Sequence, residues 1–162
     1  MIPLTTESAA SSPLMKIAHL HQLQCSRQWR GFLAAMGDEF ASALPAQELT
    51  TLMARIGVRF AAAHPLNACE TVQELQQDMN RVWDLLEWGW AELGQTSEGI
   101  EVTHHFSPLA AAFGEAQVPW ACGFLQGVYQ HWFAAAGAEG LRVDVVTAAD
   151  AQGSVRLRLV AA

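Results

Sequence analysis

The side chains with any claim to chemistry are few and scattered. His104 and His105 are adjacent, so on an extended chain they point to opposite faces and cannot grip one metal together. His19 and His21 would share a face of an extended segment, but no third ligand stands near them in the sequence. The carboxylate pairs Asp38-Glu39 and Asp84/Glu87 fall on the polar sides of amphipathic stretches, where solvation explains them better than acid–base work. Cys122 lies beside Gly123 and Gly127 in apolar surroundings, which raise a thiol pKa and make it inert. No glycine-rich phosphate loop, GxSxG or HExxH occurs. The chain reads as having no catalytic, cofactor-binding or metal-ligating residues. Its tryptophans remain: Trp83, Trp88, Trp90, Trp120 and Trp132 could stack on sugar rings, although at helical spacing such residues usually form core.

The elements that must position these residues follow from periodicity. Trp29, Phe32, Leu33, Met36 and Phe40 mark one amphipathic helix between Ser26 and Leu44. Leu49, Leu52, Met53, Ile56 and Phe60 mark a second, opened by Pro45 and stopped at His64-Pro65. A third starts at Thr71, with Glu74 completing a capping box. Trp90 to Leu93, a turn over Gly94–Gly99, and the alternating Ile100–Phe106 read as a hairpin. A loop with a helical turn near Leu109–Phe113 leads to one long central helix from Pro119 to about Gly137. Gly123 and Gly127 share a face of that helix, which points to another element in close approach, while Tyr129 and Trp132 pack internally. Two alternating strands, Leu141–Val146 and Val155–Val160, joined by a turn around Gln152-Gly153, end the chain. The expected fold is α+β: three N-terminal helices, a β-hairpin, a long central helix and a C-terminal β-hairpin, forming a small antiparallel sheet with helices on one face.

Residues 1–23, rich in Pro, Ser and Thr, read as a flexible N-terminal arm, and residues 24–162 as a single domain. Across 162 residues, 51% are hydrophobic and only 15% charged, against a usual charged share of about 25%. That excess means either a generous core or apolar surface buried against another subunit, and six tryptophans favour the second. Trp29, Phe40 and Phe60 are the expected oligomer contacts. A net charge of −7 disfavours nucleic acid as a partner. The three cysteines fit neither a disulfide framework nor a zinc site. The N-terminus lacks the pattern of a secretory signal, so a cytoplasmic location is expected.

The run Thr71-Val72-Gln73-Glu74-Leu75, then Met79-Asn80 and Trp88-Gly89, resembles the middle of the D subunit of the bacterial cellulose synthase complex. Trp120 followed by Leu125-Gln126-Gly127-Val128-Tyr129-Gln130-His131-Trp132 is similar to that family's Leu-x-Gly-x-Tyr-x-x-Trp helix, and the likeness extends over about residues 27–160. The resemblance implies a non-catalytic accessory subunit, assembled as an octameric ring, that helps glucan export and crystallisation in biofilm cellulose. It also implies a scaffold role with a proline-rich partner at the inner-membrane synthase complex. Candidate contacts for glucan or partner are Gln22, Gln24, Ser26, Trp88 and Trp90. Residues 1–23 depart from the family by their length. The ending, Cys122 to Gly127 in a helix followed by two strands, also looks like vinyl-reductase-type ligand-sensing domains, although the paired strand cysteines of some members are missing. A small-ligand-binding module is the alternative.

Overall fold

The computed structural model describes residues 20, 23–97, 99–150 and 153–162. Most of the expected arm, with His19, His21 and Gln22, lies outside the described residues, as does Gln152 of the last turn.

Three helices come first: α1 (Arg27–Ala43), α2 (Ala46–Ala63) and α3 (Val72–Leu86). The capping box at the head of α3 is present, with Glu74 N–H donating to Thr71 Oγ1 at 3.1 Å and Thr71 N–H donating to Glu74 Oε2 at 3.3 Å. At the far end Glu87 takes a left-handed conformation (φ 56°), and Trp88 N–H donates back to Trp83 O at 3.0 Å. Gly89 follows with φ 82°, and a Cβ there would sit 1.9 Å from the His105 carbonyl oxygen. Only glycine lets the chain turn from α3 into the sheet at that point.

The hairpin β1 (Trp90–Thr96) and β2 (Gly99–His105) is longer than the sequence suggests. Pairing continues through Gly94↔Glu101, Gln95↔Ile100 and Thr96↔Gly99, so the stretch expected as a turn is mostly strand. Short helices α4 (Leu109–Phe113) and α5 (Val118–Ala121), with a 3₁₀ turn at Glu115–Gln117 between them, precede α6 (Gly123–Ala135). The single central helix of the sequence reading is therefore two pieces. Cys122 is a one-residue turn between them, at the point where the Gly123 backbone meets Thr50 of α2. Strands β3 (Leu141–Thr147) and β4 (Val155–Ala161) complete an antiparallel sheet in the order β1-β2-β4-β3. The fold is α+β, with β4 inside the sheet and β3 at its edge.

Helix α6 lies at the centre, between α2 and the sheet. An added Cβ would fall 2.4 Å from Thr50 O at Gly123, 1.9 Å from Ala54 O at Gly127, and 2.1 Å from Phe124 O at Gly57. The two backbones thus touch with no side chain between them, as small residues one turn apart permit. The register advances in step along both helices, so they run parallel, and Trp132 Nε1–H closes the far end by donating to His64 O at 3.0 Å. Beside this contact Phe60, Trp83, Trp88, Phe124, Tyr129 and Trp132 form a continuous aromatic cluster, with neighbouring centroids 4.9–6.3 Å apart. Val102, His104, Val143, Val155, Leu157 and Leu159 of the sheet's inner face are buried against the helices.

Both outer strands have edge groups capped by side-chain amides one helical turn apart. On β1, Ala91 N–H donates to Asn80 Oδ1 at 2.6 Å, Asn80 Nδ2–H to Ala91 O at 2.9 Å, and Leu93 N–H to Gln76 Oε1 at 2.7 Å. On β3, Val143 N–H donates to Gln130 Oε1 at 2.8 Å, while Gln126 and Gln130 donate to Val143 O and Leu141 O at 2.7 and 2.9 Å. The helices thereby stand in for missing neighbour strands, which protects edges that would otherwise template aggregation.

Gly127→Ala should force α2 and α6 apart and lower unfolding free energy by roughly 3 kcal/mol, the upper end of the overpacking range. Gly94→Ala, with nothing near its Cβ position, should be close to neutral when both variants are compared by urea titration. Asn80→Leu should leave Ala91 N–H and C=O unpaired, cost about 1–3 kcal/mol, and raise aggregation measured by light scattering.

Candidate functional site

The most polar group in the core is His104, fully buried on β2. Trp88 O, 2.8 Å from His104 Nε2, is a carbonyl and can only accept, so Nε2 carries the proton. The bare Nδ1 then accepts from the Tyr129 hydroxyl at 2.6 Å. Burial pushes the imidazole from its ordinary 6.5 down to about 4, with His105 acting the same way and the Trp88 carbonyl opposing. Burial likewise pushes the Tyr129 phenol upward. These are neutral groups locking β2, the α3 exit and α6 to one another, with no access for a substrate. Cys122 is buried as well, and its thiol is pushed up by burial. Among the described residues no group of three or more His, Cys, Asp or Glu could hold a metal ion.

The surface offers more. Helix α1 has one buried residue, Gly37, which rests against Phe113 of α4. Gln117 Nε2–H donates to Asp38 Oδ1 at 3.0 Å beside it. The apolar stripe of the helix is open at its N-terminal end, while Leu33, Met36 and Phe40 are half-buried. Trp29 and Phe32 are 54% and 58% exposed and meet edge to face with centroids 6.0 Å apart. Leu20 and Leu23, just ahead of α1, are exposed too. Phe40, nearer the C-terminal end, is half-buried and packs against the core. Phe60 is half-buried and points inward, stacked on Trp83 and His64 and edge-on to Phe124.

Trp88 and Trp90, two residues apart, part company. Trp88 turns into the aromatic cluster, against Phe124 at 4.9 Å. Trp90 lies on the other side of the sheet, 41% exposed and stacked on His105 and Phe106 at 5.0 and 5.5 Å. Gln24 joins Trp90 at that place, donating from Nε2 to Phe106 O at 2.5 Å. Ser26 is the exposed N-cap of α1, with no side-chain cap bond. The candidate contacts therefore divide: Gln24 and Trp90 flank Phe106, and Trp88 is half-buried against the core. The space between α6 and the sheet, where a sensor domain would need room for a ligand, is filled by Trp83, Tyr129 and Trp132.

The sequence places Phe32 on the same stripe as Trp29 without marking it as a contact, and it gives the edge-capping amides no role. The signal for the caps was there: Gln76/Asn80 and Gln126/Gln130 are amide pairs four residues apart, each on the helix just before the strand it caps.

The buried imidazole makes stability pH-dependent. The unfolded chain takes up this proton near pH 6.5, while the folded one resists it down to about 4. The unfolded state therefore binds more protons in that window, and stability is lost as pH falls through it. Urea titrations at pH 7.5 and 4.5 should show roughly 2–3 kcal/mol lost through this group. His104→Gln, which keeps one acceptor and one donor, should remove that component.

Among the described residues no helix is long and apolar enough to cross a membrane. The sequence model of the family described as the D subunit of cellulose synthase matches residues 15–160. Similar curated proteins are cellulose synthase operon protein D of Komagataeibacter xylinus and of Komagataeibacter sucrofermentans. Each is 24% identical over 103 residues, 62% of this chain and 66% of the relative. A further Komagataeibacter xylinus protein of that name is 33% identical over 75 residues, 44% of this chain and 48% of the relative. The match spans just under two thirds of the length of the first two relatives. With nearly the whole described domain inside the family match, the chain belongs to the family of cellulose synthase D subunits.

Proposed function

We propose that this protein is a non-catalytic accessory subunit of bacterial cellulose biosynthesis that works as a closed homo-oligomer. The observation that carries the reading is the uncovered apolar stripe of α1. A helix with a firm amphipathic period ordinarily turns that stripe into its own core. Here the stripe's N-terminal half, Trp29 and Phe32, stays open while Gly37 makes the contact with the rest of the domain. A second copy of the chain is the partner that would bury it, since obligate interfaces resemble a core cut in half.

Resemblance to the family supports the finer reading. Eight copies form a ring that organises synthase complexes, glucan export and the packing of chains into crystalline cellulose. The ring works beside the inner-membrane synthase complex, on its cytoplasmic side, with a proline-rich partner. Gln24 and Trp90, flanking Phe106 next to the base of α1, are the residues proposed to meet a glucan chain or that partner.

The test is native mass by light scattering behind size exclusion, on the full chain and on Trp29→Asp/Phe32→Asp. Both side chains are exposed, so the variant should keep its helical circular dichroism and its thermal midpoint. A discrete large assembly that falls to a smaller species in the variant is the expected result. An assembly of unchanged mass would remove α1 from the interface, and a monomeric parent chain would overturn the oligomer.

A further inference from the structure

A groove of about 610 Å³ runs along the outer side of the α2–α6 contact. Its wall is α2, through Thr51, Arg55 and Arg59, and its floor is α6, through Gln126, Gly127 and Gln130. The proposed assembly does not use this groove. Two observations about its chemistry are independent of each other.

The first is charge. In a chain of net charge −7, cations are scarce and several are neutralised: Arg81 pairs with Asp78, Arg142 with Asp144, and Arg156 and Arg158 with Glu101. Arg55 and Arg59 are exposed, one helical turn apart on the same wall, and among the described residues neither meets a carboxylate. Like charges at this spacing repel one another in the free helix, and a bound anion would relieve that.

The second is the floor. Gln126 and Gln130 are pinned by their bonds to Val143 and Leu141, so their amide planes are fixed. Each amide offers two N–H donors and two acceptor lone pairs. Gln126 spends one donor on β3, and Gln130 spends one donor and one lone pair, so both retain a donor and an acceptor. A pair of oriented amides four residues apart is the complement of an extended peptide backbone, and orientation in advance lowers the entropic cost of binding. Carboxylates satisfy the guanidiniums, and main-chain amides satisfy the glutamines.

We infer that this groove binds an extended acidic peptide of a partner protein, with its backbone on Gln126 and Gln130 and its carboxylates on Arg55 and Arg59. The amide caps of β3 act as a surrogate strand onto which the peptide docks, while the edge of β3 itself stays closed.

The probe is a fluorescein-labelled (Glu-Thr)₄ peptide, titrated against the full chain by fluorescence anisotropy at low and physiological salt. (Gln-Thr)₄, (Lys-Thr)₄ and an oligogalacturonate of similar charge are the controls. Expected are binding of the Glu peptide that weakens with salt, and weak or no binding of the three controls. Arg55→Gln/Arg59→Gln should weaken the Glu peptide about tenfold, the combined effect of two exposed ion pairs. Arg55→Glu/Arg59→Glu, which also alters only exposed positions, should exchange preference to the Lys peptide. Gln126→Leu/Gln130→Leu tests the backbone contacts and should weaken the Glu peptide while circular dichroism reports whether β3 is retained. Failure of the Glu peptide to bind, or binding unmoved by the arginine changes, overturns the inference. Equal binding of the oligogalacturonate overturns the peptide and leaves an anion groove. None of these results depends on the oligomeric state measured for the α1 variants.

Discussion

Everything in this domain is arranged around one backbone-on-backbone contact. Gly57 of α2 and Gly123 and Gly127 of α6 remove the side chains that would hold the helices at the usual 8–10 Å. Glycine inside a helix loses roughly 1 kcal/mol per position against alanine. What offsets that loss is the packing beside the seam. Because the seam itself holds no side chains, the large rings are pushed to one flank, where Phe60, Trp83, Phe124, Tyr129 and Trp132 meet, and the polar residues to the other, where the groove opens. One steric constraint thus separates a dry aromatic flank from a wet, chargeable one.

The aromatic flank also carries the main polar lock. His104 joins Tyr129 of α6 to the carbonyl of Trp88, the residue at which α3 gives way to the sheet. A neutral imidazole with one donor and one acceptor suits this place, since a carbonyl can only accept and the phenol is left to donate. The bond geometry therefore ties together three elements that hydrophobic burial alone would leave free to slide. Its neighbour His105 faces the opposite way, with Nε2 3.2 Å from Glu92 and its ring stacked on Trp90. Adjacent histidines on a strand have separate duties because alternate residues face opposite sides.

The sheet edges limit how copies can meet. Ala91, Leu93, Leu141 and Val143 already have edge N–H or C=O groups bonded to Asn80, Gln76, Gln130 and Gln126, which disfavours strand addition there. The exposed apolar surface lies instead on α1. An assembly through helix faces would leave the capped strands undisturbed.

Much of this was legible in the amino-acid sequence. The stripes of α2 and α3, the Thr71–Glu74 capping box, the alternation in β2, β3 and β4 and the paired glycines of α6 are local patterns, and a 3.6- or 2-residue period needs only neighbours to be read. The family likeness lay in the same ordered residues. Which partner each pattern met was decided by tertiary structure. Periodicity says that Trp29 and Phe60 each lie on an apolar face. It says nothing about Phe60 finding Trp83 while Trp29 meets Phe32 on an exposed face. The break at Cys122, the extension of β1 to Thr96 and the capping of edges by Gln76, Asn80, Gln126 and Gln130 also depend on residues far away in the chain. The physical reason is the same in each case: backbone proximity and hydrogen-bond partnership are set by long-range packing, and a one-dimensional pattern carries the need for a partner without its identity.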